Sequence, residues 1–161
     1  MLVSLAEHLS HMRRALDEAH LAAAAGEAPI GAVVVADGAV IARAHNRRES
    51  WQDPTAHAEV IAIREASAQL RTWRLVGSTL YVTMEPCAMC IGAAILARVE
   101  RVVFGARDPK GGACGSVLNI PDERRLNHRI EVIGGVLEQE SQGLLQRFFR
   151  GLREREDFKI A

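Results

Sequence analysis

Four residues in two short stretches have the types and spacing to do chemistry: His57 and Glu59 in "PTAHAEV", and Cys87 and Cys90 in "PCAMC". Residues three apart on a helix share a face, so Cys87 and Cys90 can present both sulfurs to one point. At a helix start, free N–H groups and the positive end of the dipole favour thiolates. Two thiolates and one imidazole make three ligands suited to zinc, and a tetrahedral ion then keeps one position open, as in a catalytic site and not a closed structural one. His57 and Glu59 raise a geometric question, because residues two apart on an ideal helix point to nearly opposite sides. They can serve one site only if it lies over the helix end. There His57 would hold the metal, while Glu59, without ligating, would handle the protons of a water whose pKa the zinc lowers.

These residues need strand-to-helix junctions to present them, and the chain supplies two. Leu2, Leu5, Leu9, Met12, Leu16 and Ala19 recur at helical spacing, so an amphipathic first helix should end near Gly26 and Pro29. The valine-rich "PIGAVVVA" reads as a central strand buried on both faces. Asp37-Gly38 is a hairpin signal that returns the chain through "AVIARAHN" to about Asn46. From Thr55 to about Leu70 a second helix is expected, with Asp53 as N-cap and Pro54 as first helical residue. "STLYVTM" reads as a third strand. Pro86 then opens a helix with no charge until Arg98, apolar all round and so buried on more than one side, by the sheet and by a partner subunit. "ERVVFG" makes a fourth strand, a glycine-containing loop runs from Ala106 to about Arg125, and "HRIEVIGG" is a short strand closed by Gly134-Gly135. The last helix sets Leu137, Leu144, Leu145, Phe148, Phe149 and Leu152 on one stripe, with Arg147, Arg150, Arg153 and Arg155 off it. Helices interleaved with strands predict an α/β domain, with helices on both faces of a mixed sheet.

A chain of 161 residues, 48% apolar and without repeats or a low-complexity linker, is expected to form one domain over residues 1–161. Glu7 and His8 precede any long apolar run, and no stretch of about 18 uncharged apolar residues follows, which predicts a soluble, unexported protein. Three cysteines, two of them in Cys-x-x-Cys, make a poor disulfide framework, so a reduced cytoplasm is the expected home. The formal net charge of zero does not announce a nucleic-acid partner, although local patches can supply one.

Together, His-x-Glu and Pro-Cys-x-x-Cys form the pattern of zinc nucleobase deaminases. "DPTAHAE", "LYVTMEPCAMC", "RVVFGARD" and "LNHRIEV", in this order, resemble the bacterial tRNA-specific adenosine deaminases, from the first helix to "RFFRGLRER". The resemblance implies the cytidine-deaminase-like three-layer α/β/α sandwich with a mixed five-stranded sheet. It also implies a homodimer with one zinc per subunit, held by His57, Cys87 and Cys90, and Glu59 as proton shuttle. The implied substrate is adenosine at position 34, the wobble position of the tRNA anticodon, converted to inosine by hydrolysis. Substrate contacts would fall to Asn46, Ala58, Asp108, Phe149 and Arg150. Read alone, Asn46 is a strand-end turn residue, Asp108 a turn residue before Pro109, and both phenylalanines part of an apolar core stripe. Glu85 would have a supporting role, His128 a structural hydrogen bond, and Cys114 the part of a small filler. The chain departs from the family at Cys114, where alanine is commoner, and at Gly111, where threonine or a similar residue is. Glu154, Glu156 and Asp157 dilute the arginines of the last helix as an RNA surface.

Three other readings compete. A free guanine, cytosine or nucleoside deaminase would share the metal site with a different pocket. A noncatalytic zinc-stabilised RNA-binding module would have no need of Glu59. A thiol–disulfide protein using Cys87 and Cys90 would oxidise reversibly and bind no metal.

Overall fold

The computed structural model describes residues 3–160; Leu2, at the head of the first apolar stripe, lies outside them. Helix α1 spans Leu5–Ala24. Its start is a capping box in which the Ser4 hydroxyl accepts from Glu7 N–H and the Glu7 carboxylate accepts from Ser4 N–H. Strands β1 (Gly31–Ala36) and β2 (Ala39–His45) form an antiparallel hairpin. Its turn residues, Asp37 and Gly38, both have positive φ, 49° and 73°, as the tightest hairpin turn demands. Then come α2 (Arg48–Trp51), α3 (Ala58–Leu70), β3 (Thr79–Met84), α4 (Ala88–Leu96), β4 (Arg101–Ala106), β5 (Glu131–Ile133) and α5 (Glu138–Ile160). A short 3-10 turn at Ile120–Asp122 interrupts the loop after β4.

The five strands form one mixed sheet in the order β2-β1-β3-β4-β5. β1 is antiparallel to both β2 and β3, whereas β4 is parallel to β3 and to β5. On one face, Ala32, Val34, Leu80, Val82, Val102 and Phe104 pack with Ile61, Ala62, Ile91 and Ala94 of α3 and α4. On the other face Val33, Val35, Tyr81 and Val103 meet Met12 and Ala15 of α1. α5 lies on that same side against β4 and α1. The expected α/β/α layering is therefore present, and β1 is buried on both faces as its valine run predicts. Among the described residues no helix is long and apolar enough to cross a membrane.

Two elements differ from expectation. The helix expected from Thr55 begins at Ala58, with His57 as N-cap. Asp53 does not cap it: the Asp53 carboxylate accepts from Thr55 N–H at 2.8 Å and from the Thr55 hydroxyl at 2.7 Å, closing a local turn. α2 had no signal in the sequence, because the partner that caps it lies far away on the chain. α4 buries Cys90, Ile91, Ala94 and Ile95, but leaves Met89 and Leu96 in solvent, so a single chain covers only one side of it.

The strand directions place the chemistry. Because β1 opposes β2 and β3, the C-terminal ends of β2, β3 and β4 all open at one end of the sheet. The segments after those strands, and the N-termini of α3 and α4, meet there.

Candidate active site

His57 and Cys87 are the N-cap residues of α3 and α4, each with extended backbone. Their side chains therefore leave the helix axis before the helical wheel begins, while Glu59 and Cys90 sit in the first turns. This resolves the two-residue spacing of His57 and Glu59, since both reach the space over the helix end. His57 Nδ1 lies 3.8 Å from Cys87 Sγ and 3.4 Å from Cys90 Sγ. All three ligand atoms fall within 4.8 Å of one another. Tetrahedral zinc with ordinary bond lengths separates a nitrogen and a sulfur ligand by about 3.5 Å, so these donors fit that ion without rearrangement.

The electrostatics agree with that fit. Hydrogen bonds from Cys90 and then His57 hold the Cys87 thiol down at about 3. The same Cys87–Cys90 hydrogen bond, with burial, pushes Cys90 up, so the first thiol proton leaves readily and the second does not. A divalent cation is the chemistry that stabilises both as thiolates. Hydrogen bonding to Cys87 raises His57 against its burial. Glu59 is only 4% exposed. Burial raises its carboxyl to about 7, although His57 and the Cys90 thiol favour the anion.

Asn46 follows β2 and is 2% exposed. Its side-chain oxygen accepts from Ala58 N–H at 2.9 Å, so it caps α3 from twelve residues upstream. That bond commits the Ala58 N–H and leaves the Asn46 amide N–H groups free to meet a ligand. Just before Asn46, His45 Nδ1 lies 2.9 Å from a Glu18 carboxylate oxygen, which ties β2 to α1. Glu27, 2% exposed, accepts from Glu49 and Ser50 N–H at 3.1 and 2.7 Å and thereby caps α2. Neither Glu18 nor Glu27 was legible as a site residue, because nothing near them in sequence marks their partners.

A cavity of about 520 Å³ adjoins this corner, lined by Glu27, Asn46, Arg48, Phe148, Phe149 and Leu152. The two phenylalanines stand edge to face, with centroids 5.4 Å apart. Phe148 is half-buried and Phe149 is 44% exposed, which corrects the core role expected from their stripe. Arg147, Arg150, Arg153 and Arg155 are exposed, as are Glu154 and Glu156, and the side chain of Asp157 lies outside the described residues.

The segment after β4 folds back over the metal-ligand end. Asp108 is half-buried, and its carboxylate accepts from Lys110 N–H at 2.9 Å. Glu85, 3% exposed, accepts hydrogen bonds from this segment. Cys114 packs against the core as a filler, with burial pushing its thiol up to about 12. His128 Nε2 bonds to the Val99 carbonyl at 2.7 Å, a structural contact as expected.

Residues 6–153 match the MafB19-like deaminase family. The tRNA-specific adenosine deaminase of Bacillus subtilis (strain 168) is 57% identical over 145 residues, 90% of each chain. A solved tRNA:A34 deaminase, from work on A-to-I editing at the wobble position, superposes with a TM-score of 0.82 at 46% identity. That match covers 84% of this chain and 99% of the other. The guanine deaminase of Nitrosomonas europaea superposes with a TM-score of 0.74 at 28% identity, covering 87% and 83%.

Proposed function

This chain belongs to the MafB19-like deaminase family, and from that premise we propose that it hydrolyses adenosine to inosine at the wobble position, 34, of tRNA. The observation that carries the reading is the His57, Cys87 and Cys90 donor set with a buried carboxyl, Glu59, beside it. His57, Cys87 and Cys90 would hold one zinc ion. When bound, zinc supplies Lewis acidity that makes water a nucleophile near neutral pH. Glu59, raised to about 7, can carry the two protons of the added water in turn, one to the ring nitrogen beside C6 and one to the amino group that leaves as ammonia. The balance is one water consumed and one ammonia released. The Asn46 amide N–H groups would bind the flipped base, and burial around Glu59 keeps bulk water from competing for its proton.

Asp108 would approach the nucleotide's ribose, and Phe149 and Arg150 the anticodon loop, by base stacking and phosphate contact. Ala58 would join these contacts, its N–H acting through the Asn46 cap. The Bacillus subtilis relative named for tRNA, 57% identical over 90% of this chain, favours the RNA substrate over a free base. The enzyme would work as one domain, in the cytoplasm, as a homodimer through the uncovered face of α4.

The test is inosine formation by zinc-loaded protein on an anticodon stem–loop with adenosine at the wobble position, beside free adenosine, guanine and cytosine. Conversion of the stem–loop alone is expected. Turnover of guanine or cytosine alone would move the protein to free-base deamination, with the same metal site.

A further inference from the structure

We propose that Glu85 is a positioning residue for substrate binding, whose carboxylate holds the loop of residues 107–118 in shape over the site; this rests on the deaminase reading above. One carboxylate oxygen accepts from Asp108 N–H at 3.0 Å and from the Ser116 hydroxyl. The other accepts from Cys114 and Ser116 N–H, each at 3.0 Å. Four donors from one loop thus converge on a single buried side chain, and the loop has no core of its own to shape it. Glu85 N–H in turn donates to the Ala106 carbonyl at 2.7 Å, so the same residue pins both the start and the body of the loop.

The seam continues into the metal-ligand segment. Ala113 N–H donates to the Pro86 carbonyl at 2.8 Å, and Gly112 bridges to Cys87. A side chain at Gly112 would run into the Glu85 carboxylate, so glycine is required by the close approach. Glu85 therefore sets where Asp108 stands relative to Cys87, without itself touching the reacting atoms. The groups that hold metal and move protons stand on the first turns of α3 and α4, and the loop meets them only through backbone contacts at Pro86 and Cys87. Loosening the loop should then weaken binding more than chemistry.

The experiment measures kcat and KM on the wobble-adenosine stem–loop, zinc content, and amide exchange for wild type, Glu85→Gln and Ser116→Ala. Glutamine keeps the shape but sets an NH₂ group against loop donors. For Glu85→Gln the expected result is a KM raised about tenfold with kcat nearly unchanged. One zinc per chain should remain, with faster exchange confined to residues 107–118. Ser116→Ala, which removes one donor, should shift KM the same way by less, and it carries the test if Glu85→Gln does not fold. A fall in kcat matching or exceeding the KM change, loss of zinc, or wild-type kinetics in both variants overturns the proposal. A wild-type chain inactive on the stem–loop overturns the functional reading and this one together; unchanged variants of an active chain overturn this one alone.

Discussion

Glu59 combines 4% exposure with a carboxyl that burial raises to about 7, which suits the proton transfer proposed for it. The geometry assigns it no place among the three clustered donors. Glu59→Gln should therefore keep one zinc per chain while turnover drops by about 10²-fold or more. Zinc content by elemental analysis beside the rate separates the roles, since joint loss of metal and activity would make Glu59 a ligand. His57, Glu59, Cys87 and Cys90 were legible in the sequence because each stretch is local and its residue types suit few other purposes. Glu18, Glu27 and Ser116 were not, because a lone glutamate or serine has no meaning until a distant donor faces it.

Elements begin where their caps are, and here some caps come from far along the chain. Asp53-Pro54 is a reasonable helix-start signal, yet α3 starts at Ala58 because Asn46 supplies the cap and Asp53 satisfies Thr55 instead. Glu27 does the same for α2. Burial alone would raise its carboxyl, but the N–H groups of Ser50 and Glu49 outweigh that and hold it below the usual range. A folded value below the unfolded one, about 4.3, means the contribution is present above that pH and lost as pH falls through the lower folded value. Glu27→Gln should thus cost about 1–3 kcal/mol at pH 7 and make the loss of stability on acidification shallower than in wild type. Urea midpoints from pH 7 down to pH 3 check this, and parallel curves would show that Glu27 carries no such linkage.

At the scale of the whole molecule, α4 leaves an apolar face uncovered, with Met89 36% and Leu96 71% exposed. Near its C-terminal end, where Leu75 N–H bonds to the Ala97 carbonyl, Trp73 and Val76 are also exposed, 52% and 73%. Such a surface suits a second copy. Leu96→Glu should weaken self-association about tenfold or more in sedimentation equilibrium without unfolding the chain. A wild type that stays monomeric at micromolar concentration would count against the dimer. The uncharged run after Pro86 announced a helix with two apolar sides, but the sequence could not say which one the sheet would take. By itself the sequence determined the donor set, its place at the starts of two helices and the order of layers, because those follow from local periodicity and residue chemistry; that α2 intervenes between β2 and His57 it did not show. Only the tertiary structure decided that Asn46 caps α3, that four donors gather on Glu85, and that Phe149 faces a cavity. These depend on which strand ends meet and bring together residues 12 apart at Asn46, up to 31 apart at Glu85 and far more distant at Phe149, spacings that no local pattern encodes.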